Sequence, residues 1–321
     1  MNTAKILLTL GLIVMIISCN KDENPDPNNG KKRYKDSMFT NVTSINDITY
    51  GSNVSYAGVS TTLKLDLYYP DGDTETNRPL LILLPGGSFG AATDKQAYLV
   101  PEAEALAKYG YVVACMNYRI YDGNDFPISN DALKQVILHG MQDAKAAIRF
   151  FREDASNSNA YKINPNKIFL GGHSAGAIVA LHTAYLDEVS KADPGFQDII
   201  QANGGLEGNS GHSGYSSSIS GVINLAGGLL DKTYLTSNGK PLKNIYGDND
   251  QVITIDDGFF NTDPTIASIP ISGGNSLNTR ATSVSVTSST YVISGGDHLA
   301  PALSSCTGCL NAIAGFMYNL L

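Results

Sequence analysis

Short apolar runs alternate with helix-like segments along most of the chain, and this alternation constrains the fold more than any other feature. One early run, "LKLDLYYP", alternates with period two and predicts a strand near the edge of a sheet. Strands that alternate with helices predict an α/β fold with a mostly parallel central sheet flanked by helices. The other strand candidates are short and bounded by turn-forming residues: "RPLLILLPGG", "GYVVACMNYR", "KIFLGG", "SGVINLAGG", "PLKNIYGD" and "STYVISGGD".

Two segments between these runs have the composition and spacing of helices. "KQAYLVPEAEALAKYG" carries helix-forming residues and stops at Gly110. By contrast, residues 204–220 are rich in glycine and serine, and we expect a flexible excursion above the sheet there. In residues 131–152, apolar side chains recur at the spacing of a helix with one buried face: Leu133, Val136, Ile137, Ala144, Ala147, Ile148 and Phe151.

Size and charge narrow the class of protein further. The chain has 321 residues, of which 42% are hydrophobic, enough for one large domain with a buried core. Its net charge is -8, and its basic residues are scattered apart from Lys31, Lys32 and Arg33. This charge pattern argues against nucleic acid as a partner and favours a neutral or small one.

The N-terminus has the pattern of an export signal. One lysine precedes an apolar run from Ile6 to Ile17, and the run ends at Ser18 and Cys19, which resembles a bacterial lipobox. We therefore predict a lipoprotein signal peptide over 1–18, lipidation of Cys19 and an outer-membrane anchor facing the cell surface; the alternative is an ordinary cleaved signal. The polar residues 19–40 predict a flexible tether, which leaves 41–321 as the folded domain.

The remaining cysteines predict structure rather than chemistry. Cys306 and Cys309 form a CxxC that could close a small disulfide in an exported protein. A zinc site would need two more ligands at suitable spacing, and a redox-active pair would need a thioredoxin-like context. Cys115 lies inside an apolar run and predicts a buried thiol. No metal or organic cofactor is expected.

The stretch Gly172-His173-Ser174-Ala175-Gly176 matches G-x-S-x-G between an apolar strand and a helix-compatible segment. Glycines on both sides of the serine permit a sharp turn that lifts its hydroxyl out of the sheet. The alternative is a tight turn with an idle, solvated serine. If Ser174 stands at such a sharp turn between strand and helix, a nucleophile elbow, then valine at Gly172 or Gly176 should disable the enzyme or its folding.

A serine nucleophile requires a base, and the base requires an acid that orients it. His298 follows the last predicted strand directly, so its loop would reach the serine. The other histidines are weaker candidates because of their positions within helices, beside the serine or in the glycine- and serine-rich stretch: His139, His173, His182 and His212. For the acid, the loop after "NIYG" offers Asp248 and Asp250. The order serine, aspartate, histidine is that of α/β-hydrolases.

From about Leu63 to its end, the chain resembles α/β-hydrolase carboxylesterases, close to the hormone-sensitive-lipase-like and bacterial feruloyl-esterase-like groups. The resemblance implies Asp250 rather than Asp248 as the acid, because "YGDNDQVI" aligns with the family's acid motif. The matching pieces stand in family order: "LKLDLYYP", "LLPGGSFG", "MNYR", "DAKAAIRFFR", "INPNKIFLGGHSAGAIVALH", "YGDNDQV" and "GGDHL".

The same resemblance implies an oxyanion hole formed by the backbone N–H groups of Gly87, Ser88 and Ala175. This chain departs from the family's "HGGG" turn at Pro85 and Ser88, and neither change removes a needed N–H. The resemblance also implies a packing helix in which Asp143 and Arg149 hold loops together.

The expected activity is ester hydrolysis through an acyl-enzyme on Ser174, with His298 as base and Asp250 as the orienting acid. Short-chain glycerides, acyl groups on polysaccharides and polyesters are all compatible substrates. The alternatives are a surface binding or adhesion lipoprotein that has lost catalysis on the same scaffold, and a serine peptidase.

Overall fold

The computed structural model describes residues 30–90, 99–124, 128–259, 269–302 and 306–321. Lys31–Leu321 form one compact unit. The predicted signal peptide, Cys19 and residues 20–29 of the predicted tether lie outside the described residues. Residues 31–40, which the sequence places in the tether, belong to the compact unit. The Tyr34 N–H donates to the Tyr109 carbonyl at 2.8 Å, and Arg33 forms an ion pair with Asp73.

The domain is built on a sheet of eight strands in the order β1-β2-β4-β3-β5-β6-β8-β11. β2 runs antiparallel to both β1 and β4, and every other neighbouring pair is parallel. All seven apolar runs noted in the sequence are strands of this sheet, whereas β1 was not predicted. The strand bounds are β1 Val42–Val54, β2 Ser60–Pro70, β3 Arg78–Leu84, β4 Val112–Met116, β5 Ile163–His173, β6 Gly221–Leu225, β8 Leu242–Gly247 and β11 Ser288–Ile293.

Helices cover both faces of the sheet, which confirms the predicted fold class. Along β3, Leu80 and Ile82 point into the core cluster that holds α2 and α3, while Leu81 and Leu83 point into the cluster that holds α1 and α6. This alternation follows from the period of two residues in a strand. The helix bounds are α1 Val100–Ala107, α2 Asn130–Asn157, α3 Ala175–Tyr185, α4 Pro194–Ala202, α5 Gly274–Ser283 and α6 Thr307–Tyr318.

Helix α2 is longer than the predicted segment but buries the predicted face. Its N-cap is Ser129, whose hydroxyl accepts a hydrogen bond from the Ala132 N–H at 3.1 Å. The seven apolar residues that defined the pattern are each 0% exposed. The helix therefore packs as its sequence predicts.

The glycine- and serine-rich segments are more ordered than the sequence suggests. The loop 204–220 is held by hydrogen bonds to α2, so the expectation of a flexible excursion is wrong. For example, the Arg149 side chain donates to the carbonyls of both Glu207 and Gly211. After Leu225, a second, three-stranded sheet is built from β7 Gly228–Leu229, β9 Asp257–Phe259 and β10 Pro270–Gly273.

Within the described ranges, no helix combines the length and the apolar character that crossing a bilayer requires.

Candidate active site

Ser174 stands at a sharp turn between β5 and α3, at the carboxyl edge of the parallel strands. Its φ of 54° and ψ of -121° lie outside the regions that non-glycine residues normally occupy. Such backbone strain persists only where the surrounding structure imposes it, and it is typical of functional sites.

The glycines on either side of Ser174 are required by close backbone contacts. A Cβ atom on Gly172 would lie 2.5 Å from the carbonyl carbon of Gly176. A Cβ on Gly176 would lie 2.2 Å from the carbonyl oxygen of Leu84. Both distances are far below van der Waals contact, so valine at either position would force the turn apart, in keeping with the prediction.

The structure brings Ser174, His298 and Asp250 into one chain of hydrogen bonds. The Ser174 hydroxyl and His298 Nε2 are 2.8 Å apart, and His298 Nδ1 and Asp250 Oδ2 are also 2.8 Å apart. His298 lies in the loop after β11 and Asp250 in the loop after β8. A carboxylate can only accept, so Nδ1 carries the proton and Nε2 is free to accept from the serine.

The two candidate acids occupy different positions. The Asp250 side chain is 1% exposed, and its second oxygen accepts from the N–H groups of Val252 at 2.8 Å and Ile253 at 3.0 Å. The exposed Asp248 instead accepts from the Gly295 N–H at 2.6 Å. Asp250 therefore contacts the imidazole, and Asp248 fixes the loop that carries it.

The loop with the predicted oxyanion donors lies against the start of α3, since Gly176 touches Leu84 and Pro85. Gly87 and Ser88 both have positive φ, at 126° and 51°. Among the described residues, the N–H groups of Gly87, Ser88 and Ala175 find no hydrogen-bond acceptor. Ala175 begins α3, and the first N–H groups of a helix have no intrahelical partner. The arrangement leaves these donors available to an anion.

The remaining histidines are all held within the protein. Burial lowers the pKa of His182 to about 4, and its Nδ1 lies 2.7 Å from the Ile178 carbonyl oxygen. Burial also lowers the pKa of His139. His212, in the glycine- and serine-rich stretch, is bonded through its two ring nitrogens to Glu153 and to the Tyr50 carbonyl. His173 contacts the backbone carbonyl of His298.

A buried polar cluster supports the scaffold on the α2 side. Asp143 accepts from the Arg119 side chain at 3.0 Å, from the Arg119 backbone N–H at 2.8 Å and from the Ser210 hydroxyl at 2.6 Å. The sequence indicated Asp143 as a structural residue but not its partners. The "MNYR" piece contains Arg119, whereas Ser210 lies in a low-complexity stretch that carries no signal.

The described cysteines and acidic residues form no metal site. A disulfide joins Cys306 to Cys309, and Cys115 is a buried thiol. In the part of the chain that the structure describes, no three His, Cys, Asp or Glu side chains converge as a metal centre requires.

The family model BD-FAE matches residues 65–251, more than half of the chain. The chain therefore belongs to the BD-FAE family of α/β-hydrolase esterases. The matched segment includes Ser174 and Asp250 and ends before His298.

Two similar curated proteins carry the names of esterases. A probable isoprenylcysteine alpha-carbonyl methylesterase of Oryza sativa subsp. japonica is 32% identical over 134 residues, which cover 42% of this chain and 28% of the relative. A chlorogenic acid esterase of Aspergillus niger is 31% identical over 108 residues, which cover 33% of this chain and 19% of the relative. The chain thus matches less than a third of the length of either protein.

Solved structures share the fold. A truncated carbohydrate esterase from gut microbiota superposes with a TM-score of 0.59 at 17% identity, over 89% of this chain and 98% of the other. A bifunctional GH43-CE protein of Bacteroides eggerthii gives 0.57 at 20% identity, over 86% of this chain and 35% of the other. A Thermogutta terrifontis esterase with bound propionate gives 0.56 at 17% identity, over 85% and 90%. These matches confirm the α/β-hydrolase fold.

Proposed function

We propose that this chain hydrolyses carboxylic esters through an acyl-enzyme formed on Ser174. The observation that carries the proposal is the hydrogen-bonded series from Ser174 through His298 to Asp250, with 2.8 Å at each step. Serine is a poor nucleophile near neutral pH, and this series supplies both a base and the group that orients it.

In the first half of the reaction, Ser174 Oγ attacks the ester carbonyl carbon while His298 Nε2 takes the serine proton. The carbonyl oxygen becomes an oxyanion, and the N–H groups of Gly87, Ser88 and Ala175 stabilise it. Asp250 stabilises the imidazolium that forms. The bond to the alcohol oxygen then breaks, His298 donates its proton to that oxygen, and the acyl group stays on Ser174.

In the second half, water replaces the alcohol. His298 takes a proton from the water as its oxygen attacks the acyl carbonyl carbon, and the same three N–H groups stabilise the second oxyanion. When the bond to Ser174 Oγ breaks, His298 returns the proton to the serine. The products are the alcohol and the carboxylic acid, and the enzyme is restored.

For the substrate, we propose short acyl groups attached to carbohydrates or other polymers. Two of the structurally similar proteins are named a carbohydrate esterase and a bifunctional GH43-CE protein, and one relative is named a chlorogenic acid esterase. A series of p-nitrophenyl esters of increasing chain length, followed by acetylated and feruloylated xylans and a model polyester, tests this choice. Turnover restricted to long-chain esters would contradict it.

For the location, we propose anchoring to the bacterial outer membrane through a lipid on Cys19. Support comes from the apolar run that ends in Ser18 and Cys19, followed by a polar segment. Growth with an alkynyl fatty acid should label the wild-type protein and leave Cys19→Ser unlabelled. Equal labelling of the two proteins would contradict the anchor.

Hydrolysis of p-nitrophenyl acetate tests the activity. Ser174→Ala and His298→Ala should each lower kcat by about 10³-fold or more, because the hydrogen-bonded residues of the series act as a unit and the loss of one removes the contribution of the others. His212→Ala is the control, since its ring contacts Glu153 and Tyr50 and lies outside the proposed series. Near-normal turnover in Ser174→Ala would refute the proposed function.

A further inference from the structure

His173, the residue before the proposed nucleophile, makes direct contact with the proposed base. Its Nε2 lies 2.8 Å from the carbonyl oxygen of His298. The two imidazole rings are 5.0 Å apart between centroids and tilted by 46°. His173 is 1% exposed, so this contact is shielded from solvent.

The direction of the hydrogen bond follows from its partner. A carbonyl oxygen only accepts, so His173 Nε2 carries the proton and donates it. Burial lowers the pKa of His173 to about 4, and its ring is therefore uncharged near neutral pH. A neutral ring adds no positive charge beside the imidazolium that His298 becomes during the reaction.

The turn at Ser174 explains how adjacent residues reach the same target. The positive φ of Ser174 directs its hydroxyl to His298 Nε2, while the His173 side chain at the end of β5 reaches the His298 backbone. Consecutive residues thus hold His298 at two points, one on the ring and one on the main chain.

The rest of the His298 loop is held by the segment after β8. The Asn249 N–H donates to the Gly296 carbonyl at 2.9 Å, and Asp248 accepts from the Gly295 N–H. Of these backbone contacts, the one from His173 is made by the strand that carries the nucleophile. It therefore ties the position of the base to the position of the serine.

We infer that His173 is a positioning residue that sets the Ser174–His298 distance by donating a hydrogen bond to the His298 carbonyl. The inference rests on the proposed function, since it concerns the geometry of the proposed nucleophile and base. A displacement of about 1 Å between reacting groups can lower a rate by about 100-fold. The loss of this hydrogen bond should accordingly lower the rate of the chemical step.

The test compares four variants on p-nitrophenyl acetate. His173→Gln keeps an N–H donor near the Nε2 position, His173→Asn keeps a shorter amide, and His173→Met removes the donor. His182→Met is the control, because it removes another buried histidine, one bonded to the Ile178 carbonyl and not to His298. Thermal unfolding of each variant reports whether it folds.

We expect His173→Met and His173→Asn to lower kcat by about 10- to 100-fold with KM within about twofold, and His173→Gln to stay within about fivefold of wild type. His182→Met should lose stability and keep its kcat. If His173→Met does not fold, the Gln and Asn variants decide. Equal kcat values in Gln and Asn, or an unchanged kcat in a folded Met variant, would overturn the inference.

The wild type separates this outcome from a failure of the proposed function. If wild-type activity disappears in Ser174→Ala but is unaffected in the His173 variants, the proposed function stands and the positioning role is wrong. If the wild type hydrolyses no ester, or if Ser174→Ala is as active as wild type, the proposed function itself is wrong.

Discussion

Asp250 and Asp143 both have buried carboxylates, and each carboxylate belongs to a hydrogen-bonded cluster that contains one serine and one basic side chain. The two clusters differ in how the serine is bonded. Asp143 is 0% exposed and accepts from Arg119 and Ser210, and the other hydrogen bonds of Arg119 also end on groups within the protein, such as the carbonyls of Val54 and His139. Asp250 accepts from His298, whose other nitrogen faces Ser174. The Ser210 hydroxyl donates directly to a carboxylate, whereas the Ser174 hydroxyl donates to an imidazole that can take its proton.

The comparison shows that residue types do not by themselves distinguish a scaffold from a reaction centre. A network whose donors and acceptors are all used inside the protein stabilises the fold. A network that includes a group able to accept a proton near neutral pH, beside backbone donors left open, can perform chemistry. Substitution of three buried carboxylates tests this distinction, and the expected effect decreases from Asp250 through Asp143 to Glu102.

The largest effect should come from Asp250→Asn. Asparagine can donate to His298 Nδ1 and so favour the wrong tautomer, and kcat should fall by about 10³- to 10⁴-fold while the protein remains folded. Asp248→Asn is the matched control, because it weakens only the hydrogen bond to Gly295. Its kcat should fall by less than about 10-fold. The reverse ranking in a steady-state assay would assign the role of the acid to Asp248.

Asp143→Ala should act on stability instead. It leaves the buried Arg119 without its carboxylate, and the loss of one partner of a buried pair typically costs about 3–5 kcal/mol. The free energy of unfolding in urea should fall by that amount, against about 0.5 kcal/mol or less for the exposed Asp198→Ala. If Asp143→Ala were fully stable but inactive, the distinction between the two clusters would fail.

A third buried carboxylate, Glu102 of α1, extends the comparison to a group that no other described residue pairs with. Within the described chain neither of its side-chain oxygens has a hydrogen-bond partner on another residue, and burial raises its pKa from 4.5 to about 7. The folded state then binds the proton more tightly than the unfolded state, so this group makes stability fall as the pH rises from about 4.5 to above 7.

Glu102→Gln should remove this pH dependence. At pH 8.5 the variant should be more stable than wild type by about 2–3 kcal/mol, and at pH 4.5 the two should be nearly equal. Glu104→Gln, on the exposed side of the same helix, should leave the pH profile unchanged. Chemical unfolding across pH measures both. If the stability of the wild type rose with pH through this window, and the stability of Glu102→Gln followed the same pH profile, the assignment would be contradicted.

Much of the fold could be predicted from the sequence because the relevant signals are local. Strands buried on both faces require continuous apolar runs, and α2 requires an apolar face at helical spacing. β1 was missed because it lies at the sheet edge, where residues such as Ser44, Asn46 and Asp47 are exposed and interrupt the pattern. Its pairing with β2 depends on the tertiary structure and not on its own composition.

The candidate site likewise combines features that local sequence signals predict with features that depend on the tertiary structure. The elbow could be predicted because Gly172 and Gly176 must be small for steric reasons that appear in the sequence as a motif. The contact of His173 with His298 could not be predicted, because it joins the end of a strand to a loop residue 125 positions further along the chain. Likewise, no local pattern relates Ser210 to Asp143, which are 67 residues apart. Long-range polar contacts of this kind become visible only in the folded chain.

The proposed function depends above all on the activation of Ser174 as a nucleophile by His298. The most direct measurement is reaction with a fluorophosphonate probe, followed by mass spectrometry of the labelled peptide and by labelling rates for wild type and His298→Ala. We expect one adduct, on Ser174, formed at least about 100-fold more slowly without His298. No adduct, an adduct on another serine, or an equal rate in His298→Ala would contradict it.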